Sequence, residues 1–272
     1  GAKTFLKATG LARIACRHQL QPQTILHLKT FLETFPAFTE FDLLVTLTAS
    51  PDCETVLNVD YEELEKISDE ISQHSSLLFQ NPGRVPQILK VDGKRLLSSL
   101  KGALVLWRWT VLGDMELVAE EDGCYPFEIQ RLLESTDRLL LAAGSIKKML
   151  DEQNKLQEQN FSKEDNSPSW TKIELVRQML LNGIEQDAAG LTLVDGLGPV
   201  MVRRLLEKGI QRLEDLAQAD SKQLSGIKGL SEKRATTWIK EAEKSQDKTP
   251  PEWKGYFINS FATDLELTVD PY

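Results

Sequence analysis

Cysteine and histidine are scarce in this sequence, with three residues of each among 272. Cys16, Cys53 and Cys124 are odd in number and far apart, so the sequence predicts neither a disulfide framework nor a zinc site. They are interpreted as buried or incidental thiols in a reducing compartment, and we expect a cytoplasmic protein. The three histidines all precede residue 75 and lack companion motifs, so no Ser-His-Asp or Cys-His catalytic arrangement is predicted.

Long apolar runs and nucleotide-binding loops are also missing. The longest apolar run, residues 103–112, is interrupted by Arg108 and is too short to cross a bilayer, so we expect no membrane partner. There is no phosphate-binding loop of the G-x-x-x-x-G-K-[ST] type and no acidic metal-binding box. We therefore predict no catalytic and no metal-binding residues in this sequence, and no ATP hydrolysis by it.

Acidic residues outnumber basic ones, 41 to 32, and the net charge of −9 at first disfavours a nucleic-acid partner. The charge is unevenly spread, however. Residues 52–70 carry eight acids and the single base Lys66, whereas residues 199–240 carry nine bases and five acids, a balance of 9 − 5 = +4. The distribution of charge is more informative than the total, so residues 199–240 are the candidate anion-binding segment.

Two glycine-containing turns about thirty residues apart lie in and beside that basic segment. They are residues 194–199 (VDGLGP) and 226–231 (GIKGLS), each between helix-like segments. Glycine allows turns that are closed to other residues, and we expect Gly198 to take a positive φ that a β-branched residue disfavours. The helix after each turn would direct its free N–H groups and its positive dipole end at a phosphate. The pattern predicts a tandem helix-hairpin-helix that binds the nucleic-acid backbone without reading sequence.

Two other interpretations of the glycines were weighed. A dinucleotide-binding fingerprint would need a third glycine where Met201 stands, and a strand before it. Two ordinary helical turns would need no function at all. Because the pattern occurs twice, with Arg or Lys in each following helix, the tandem is favoured. The residues predicted to contact phosphates there are Gly196, Gly198, Arg203, Arg204, Lys228, Gly229, Ser231, Lys233 and Arg234.

Helical periodicity dominates the rest of the chain. Pro22 and Pro126 are expected to open helices, and Asp60 with Glu63 to form a capping box. We predict an all-α fold, in which a multi-helix bundle is followed by a small tandem helix-hairpin-helix domain. The predicted parts are a remnant of a preceding domain (1–9), the helical bundle (10–156), a polar linker (157–169), the tandem domain (170–244) and a docked, aromatic-rich tail (245–272).

Arg131 and Arg138 lie seven residues apart in the longest predicted helix, with Glu134 and Ser135 between them. Two helical turns separate the arginines, so we expect them on one exposed face, about 10.5 Å apart. From this pattern alone, a solvated face with Arg–Glu pairs is the favoured interpretation.

Residues 123–140 (GCYPFEIQRLLESTDRLL) resemble the ratchet helix of Ski-two-like superfamily 2 helicases, particularly the archaeal DNA repair branch. Residues 106–110 (LWRWT) are similar to the preceding helix of that family. Residues 174–184 and 208–216, with the first glycine turn between them, are similar to its helix-hairpin-helix terminus. The resemblance covers roughly residues 5–242, and the order of the modules matches.

The resemblance implies a role for the arginine pair. In that family an Arg of the ratchet helix holds the strand backbone, and a Trp two turns later stacks on a base. Arg131 matches the Arg, whereas Arg138 stands where the Trp would be. A guanidinium can stack on a base or pair with a phosphate, so both residues are predicted to bind nucleic acid.

The resemblance further implies a C-terminal accessory region of an ATP-dependent, 3′-to-5′ helicase. The motor domains would then precede these residues and would bind ATP and Mg²⁺, while this region would bind single-stranded or branched nucleic acid, with DNA expected. Two alternatives remain open. One is a stand-alone, non-enzymatic DNA-binding or junction-recognition module. The other is a helical scaffold that binds protein partners through its acidic residues 52–70.

Overall fold

The computed structural model describes residues 8–78, 90–157, 170–246 and Pro250, and every regular element among them is a helix. The chain divides into two compact units. The first comprises Gly1–Trp107 and Val118–Glu174, and the second comprises Arg108–Leu117 and Leu175–Tyr272.

The predicted all-α class is confirmed. The predicted domain boundaries remain predictions, because most of the linker (157–169) and of the tail (245–272), and most of the remnant (1–9), lie outside the described residues.

Proline and capping signals begin several helices where the sequence predicted them. Pro22 is the first residue of its helix, Pro126 opens a helix of 32 residues, and Asp60 and Glu63 form the predicted capping box. Thr39 forms a further capping box with Asp42, which was not predicted from the sequence. The helices from the first part of the chain are α1 (Gly10–His18), α2 (Pro22–Thr34), α3 (Glu40–Ala49), α4 (Tyr61–Leu78), α5 (Gly93–Leu112), α6 (Met115–Asp122) and α7 (Pro126–Gln157).

The core of the first unit forms around α7, against which α1, α2 and α3 all pack. Helix α3 is buried along its whole length after its first residue, and its buried threonine hydroxyls at Thr46 and Thr48 donate to carbonyl oxygens one turn earlier. Phe31 lies 5.3 Å, between ring centroids, from both Phe35 and Phe38. Burial of each such ring stabilises the fold by about 1.5–3 kcal/mol.

Two cations hold the segment between α3 and α4 in place. The Arg95 guanidinium donates to three carbonyl oxygens at the end of α3, where backbone acceptors have no partner within the helix. The Lys101 ammonium, itself buried, binds the far end of the segment. The acceptors are Thr48 O at 3.1 Å, Ser50 O at 2.9 Å and Cys53 O at 3.0 Å for Arg95, and Asn58 O at 3.0 Å and Glu63 Oε1 at 2.5 Å for Lys101.

The second unit is built from short helices around a core that includes the fully buried Trp238. Its elements are α8 (Trp170–Asn182), whose residues from Leu175 onward belong to this unit, a 3₁₀ helix (Gln186–Leu193), α9 (Pro199–Leu206), α10 (Leu213–Ala217), α11 (Ser221–Ser225) and α12 (Glu232–Ser245). Among the described residues, no helix combines the length and apolar character needed to cross a membrane.

Candidate nucleic-acid interface

The two glycine turns share one backbone conformation, offset by 33 positions (229 − 196). Gly196 has φ +73° and Gly229 has φ +84°, both in the left-handed region that favours glycine. Two residues later, Gly198 (φ −83°, ψ 171°) and Ser231 (φ −82°, ψ 153°) are the N-caps of α9 and α12. The repeated sequence pattern therefore corresponds to a repeated structure.

The expectation that Gly198 takes a positive φ is wrong. The chain reverses at Gly196, and Gly198 is already in the extended conformation that precedes a helix. A Cβ atom built at Gly198 would meet no other atom within 4 Å. The strict requirement for glycine therefore falls on the first glycine of the turn.

Each turn is held by the helix that follows the other turn. The Trp238 indole nitrogen in α12 donates to Asp195 O of the first turn at 3.2 Å. The equivalent carbonyl oxygen in the second turn, Lys228 O, accepts from Arg204 Nη1 of α9. Arg234 Nη2 of α12 adds a bond to Gly196 O at 3.1 Å. These reciprocal bonds fix the two turns as one rigid pair.

The side chains of Lys228 and Lys233 are exposed, and neither has a hydrogen-bond or ion-pair partner in the part of the chain that the structure describes. Gly229 and Ser231 beside them are exposed as well. Ser231 Oγ accepts from Arg234 N at 3.3 Å, and the Arg234 guanidinium, which is exposed, lies 4.8 Å from the centre of the Trp238 ring. The second turn thus combines free cations with the positive end of a helix dipole.

Arg203 is placed differently from the other predicted phosphate contacts. Its guanidinium lies 5.8 Å from the centre of the Trp109 ring, and its Nη1 donates to Leu112 O at 3.3 Å. A Cβ atom added at Gly113 would lie 1.1 Å from Arg203 Nη2, so the glycine makes room for this side chain. Burial lowers the pKa of Arg203. The guanidinium therefore packs against other residues of the second unit, unlike the exposed Lys228 and Lys233.

The two turns differ in charge although they share a backbone. Asp195 occupies in the first turn the position that Lys228 occupies in the second, and Val200, 65% exposed, occupies that of Lys233. Helix α9 begins at Gly198 without a side-chain cap. From its own residues, the first turn therefore offers an anion backbone N–H groups and no cationic side chain.

The first unit contains a second candidate surface, a cleft of about 590 Å³ between α7 and the segment that Arg95 and Lys101 fix. As expected, Arg131 and Arg138 are both on the face of α7 that lines it. Its lining is completed by Glu54, Thr55, Val56, Phe127, Glu128, Glu134 and Ser135.

The two arginines differ in exposure. Arg131 is exposed and has no hydrogen-bond or ion-pair partner among the described residues. Arg138 is half-buried, contrary to expectation, and its buried Nε has no hydrogen-bond partner within residues 8–78, 90–157 and 170–246. It lies near Cys53, whose thiol pKa burial raises to about 11 despite the Arg95 and Arg138 guanidiniums. Arg138 thus lines the cleft as a half-buried residue near Cys53.

The acidic stretch 52–70 contributes less free charge than its sequence indicates. Asp52 Oδ2 accepts from Gln21 N at 2.8 Å. The predicted capping box is confirmed, because Asp60 Oδ1 accepts from Glu63 N at 2.9 Å and Glu63 Oε2 accepts from Asp60 N at 3.1 Å. Part of the stretch therefore serves the fold of the first unit, which weakens the scaffold alternative.

Comparison with known proteins agrees with the geometry of the second unit. Residues 189–244 match the family model described as a SAM-like helix-hairpin-helix tandem. This range contains both glycine turns and α12, and the prediction of a tandem helix-hairpin-helix domain is confirmed.

Over a longer range, the chain is similar to proteins named ATP-dependent DNA helicase Hel308. It is 22% identical over 252 residues to that of Methanocella arvoryzae, which covers 91% of this chain and 32% of the relative. It is 21% identical over 237 residues to that of Thermoplasma acidophilum, covering 87% and 30%. For Thermoplasma volcanium the figures are 23% over 153 residues, covering 56% and 20%.

The chain thus spans about a third or less of the length of the curated relatives it matches. The similarity confirms the resemblance stated above, which is to the C-terminal region of Ski-two-like superfamily 2 helicases of the archaeal repair branch.

Proposed function

We propose that this chain is an accessory, nucleic-acid-binding region of an ATP-dependent superfamily 2 helicase. It grips the phosphate backbone without sequence specificity and guides the translocating single strand. The observation that carries the proposal is the second glycine turn, where Lys228 and Lys233 are exposed beside the N-terminus of α12 and have no side-chain partner among the residues that the structure describes. Such a site holds a phosphate by charge and by backbone N–H groups, and does not read bases.

The cleft on α7 supplies the guiding surface. Arg131, which has no ion-pair partner in the described part of the chain, lies on the helix that resembles the ratchet helix and lines a cleft large enough for part of a strand. A guanidinium there can pair with a passing phosphate while the rigid helix fixes its position. The names of the relatives support DNA as the polymer.

The motor belongs to the remainder of the longer protein. The relatives are named ATP-dependent, and this sequence contains no phosphate-binding loop. We therefore propose that ATP and Mg²⁺ bind in motor domains outside these residues.

A charge-reversal experiment on the 272-residue chain tests the proposal. Lys228→Glu with Lys233→Glu should weaken binding of single-stranded DNA by at least about tenfold, equally for all sequences. It should also flatten the plot of log K against log salt by about 1.4, because roughly 0.7 is lost per phosphate contact on a single strand. Fluorescence anisotropy at several salt concentrations measures both quantities.

Lys208→Glu with Lys244→Glu is the matched control. It changes the net charge equally, but its two exposed lysines lie toward the C-terminal ends of α9 and α12, away from the turns. An equal loss of DNA affinity in both double variants would mean that the effect comes from the net charge alone, and would contradict a phosphate site at the turn. A strong change in base preference would mean direct readout of bases, which also contradicts the proposal.

A further inference from the structure

Two exposed aromatic side chains, Tyr125 and Phe127, lie at the N-terminus of α7. The rings of Tyr125 and Phe127 are stacked, with centroids 5.8 Å apart and an angle of 17° between their planes. They are 66% and 58% exposed. Large apolar side chains exposed together on a soluble domain commonly mark a binding site.

The backbone beneath the pair is fixed. Gly123, with φ +59°, ends the preceding turn, and Cys124 N donates to Ala119 O at 3.0 Å. Tyr125 N donates to Glu128 Oε2 at 2.9 Å, and Pro126 restricts the first residue of the helix. The backbone that carries the two rings is therefore already ordered, so a ligand that stacks on them would lose little binding free energy to the ordering of the chain.

Phe127 connects the pair to the cleft, which it lines together with Arg131, one helical turn further along α7. A flat apolar ring and an unpaired guanidinium, about 6 Å apart along the helix axis, match the two ends of a nucleotide. The base has a π-face that stacks on aromatic rings, and its phosphate pairs with a cation.

The three carboxylates of the cleft keep their negative charge, so a phosphate would bind at Arg131 and the carboxylates would face the base or the solvent. Glu128 is already engaged by Tyr125 N, and Glu134 Oε1 accepts from Gln130 Nε2 at 3.1 Å. Glu54, on the opposite wall, is exposed and is an acceptor for the exocyclic amino group of a base.

We propose that Tyr125 and Phe127 form a stacking platform for a base of single-stranded nucleic acid, with the adjoining phosphate on Arg131. The inference rests on the proposed function and adds to it a base-contacting site in the first unit, separate from the phosphate-binding turns. Stacking is tolerant of sequence because every base has a π-face.

The test uses the 272-residue chain and a single-stranded oligonucleotide that carries 5-iododeoxyuridine. Irradiation should cross-link the base to Tyr125 or Phe127, as mapped by mass spectrometry of the peptides. Phe127→Leu, which keeps an apolar side chain but removes the ring, should weaken binding about fivefold or more, the lower range for one stacked base. Tyr61→Leu is the control, because Tyr61 is 89% exposed, also stands at a helix start, and does not line the cleft.

Three results would overturn the inference. Cross-links confined to the second unit, with Phe127→Leu binding within twofold of the parent, would leave the proposed function intact and remove the platform. A change in self-association of Phe127→Leu by sedimentation, without a change in DNA binding, would assign the pair to a protein contact. Absence of salt-dependent DNA binding by the parent chain would overturn the platform and the proposed function together.

Discussion

The conformation of the first glycine turn can be tested by replacing its two glycines separately with alanine. Gly196 has φ +73°, where an L-residue with a Cβ atom is disfavoured, whereas Gly198 has φ −83°. The two substitutions add the same methyl group two residues apart in one exposed turn. The difference between their effects therefore reports the cost of backbone conformation at Gly196, reduced by the N-cap cost of alanine at Gly198.

The expected magnitudes differ clearly. At Gly196 the left-handed conformation costs a non-glycine residue about 1–2 kcal/mol. The new Cβ atom would lie 3.7 Å from Arg234 Nη2, an ordinary contact that adds little. At Gly198 the gain from a less flexible unfolded chain, about 0.4–1 kcal/mol, is offset by the weaker N-cap preference of alanine, worth several tenths of a kcal/mol or more. Gly198→Ala should therefore be near neutral.

Thermal unfolding followed by circular dichroism measures the contrast. For a domain of 60–100 residues, 1 kcal/mol corresponds to about 4–8 °C in Tm. Gly196→Ala should then melt several degrees below Gly198→Ala. Equal melting temperatures for the two variants would refute the assignment of the turn reversal to Gly196. Gly229→Ala, with φ +84° in the second turn, should reproduce the Gly196 result if the two turns are equivalent.

Two further predictions concern titratable groups in the first unit. At pH 8 a maleimide should label the exposed Cys16 quickly and Cys53 only on unfolding. Burial raises the pKa of the Cys53 thiol to about 11, which reduces the fraction of reactive thiolate about a hundredfold. Rapid labelling of Cys53 in the folded protein would contradict its buried position. Burial lowers the pKa of His27 below 6.5, so its neutral form is favoured in the folded state and stability should fall as the pH drops below 6.5. His27→Gln should flatten this dependence in urea unfolding between pH 7.5 and 5, and an unchanged pH profile would exclude His27 as its source.

Local rules of helix initiation account for most of what the sequence could predict. Pro22, Pro126 and the Asp60–Glu63 capping box act through atoms within a few residues, so their effect can be read without knowledge of the tertiary fold. The repeated turns were recognisable for the same reason, because a left-handed residue depends on glycine at one position. The sequence did not reveal which of the two glycines in the first turn reverses the chain, because either Gly196 or Gly198 could have taken the left-handed conformation.

Tertiary partners decided the rest of the candidate site. Arg203 and Arg204 are adjacent and chemically identical, yet one packs on Trp109 and the other binds Lys228 O. No local pattern separates them, because the distinction depends on a ring about ninety residues away in sequence. Arg138 likewise lines a cleft with Glu54, Thr55 and Val56, more than eighty residues earlier in the chain, and no local pattern predicts that neighbourhood.

The asymmetry of the two turns bears on how the tandem can hold a strand. Because reciprocal bonds fix the turns as one body, a phosphate held at the second turn also determines where the first turn meets the ligand. Asp195 repels a phosphate where Lys228 attracts one, and the exposed Val200 favours an apolar neighbour. Two equal phosphate contacts would require equal charge at both turns. We therefore expect the second turn to be the principal anchor for the backbone, and the first turn to serve mainly to hold that anchor rigid.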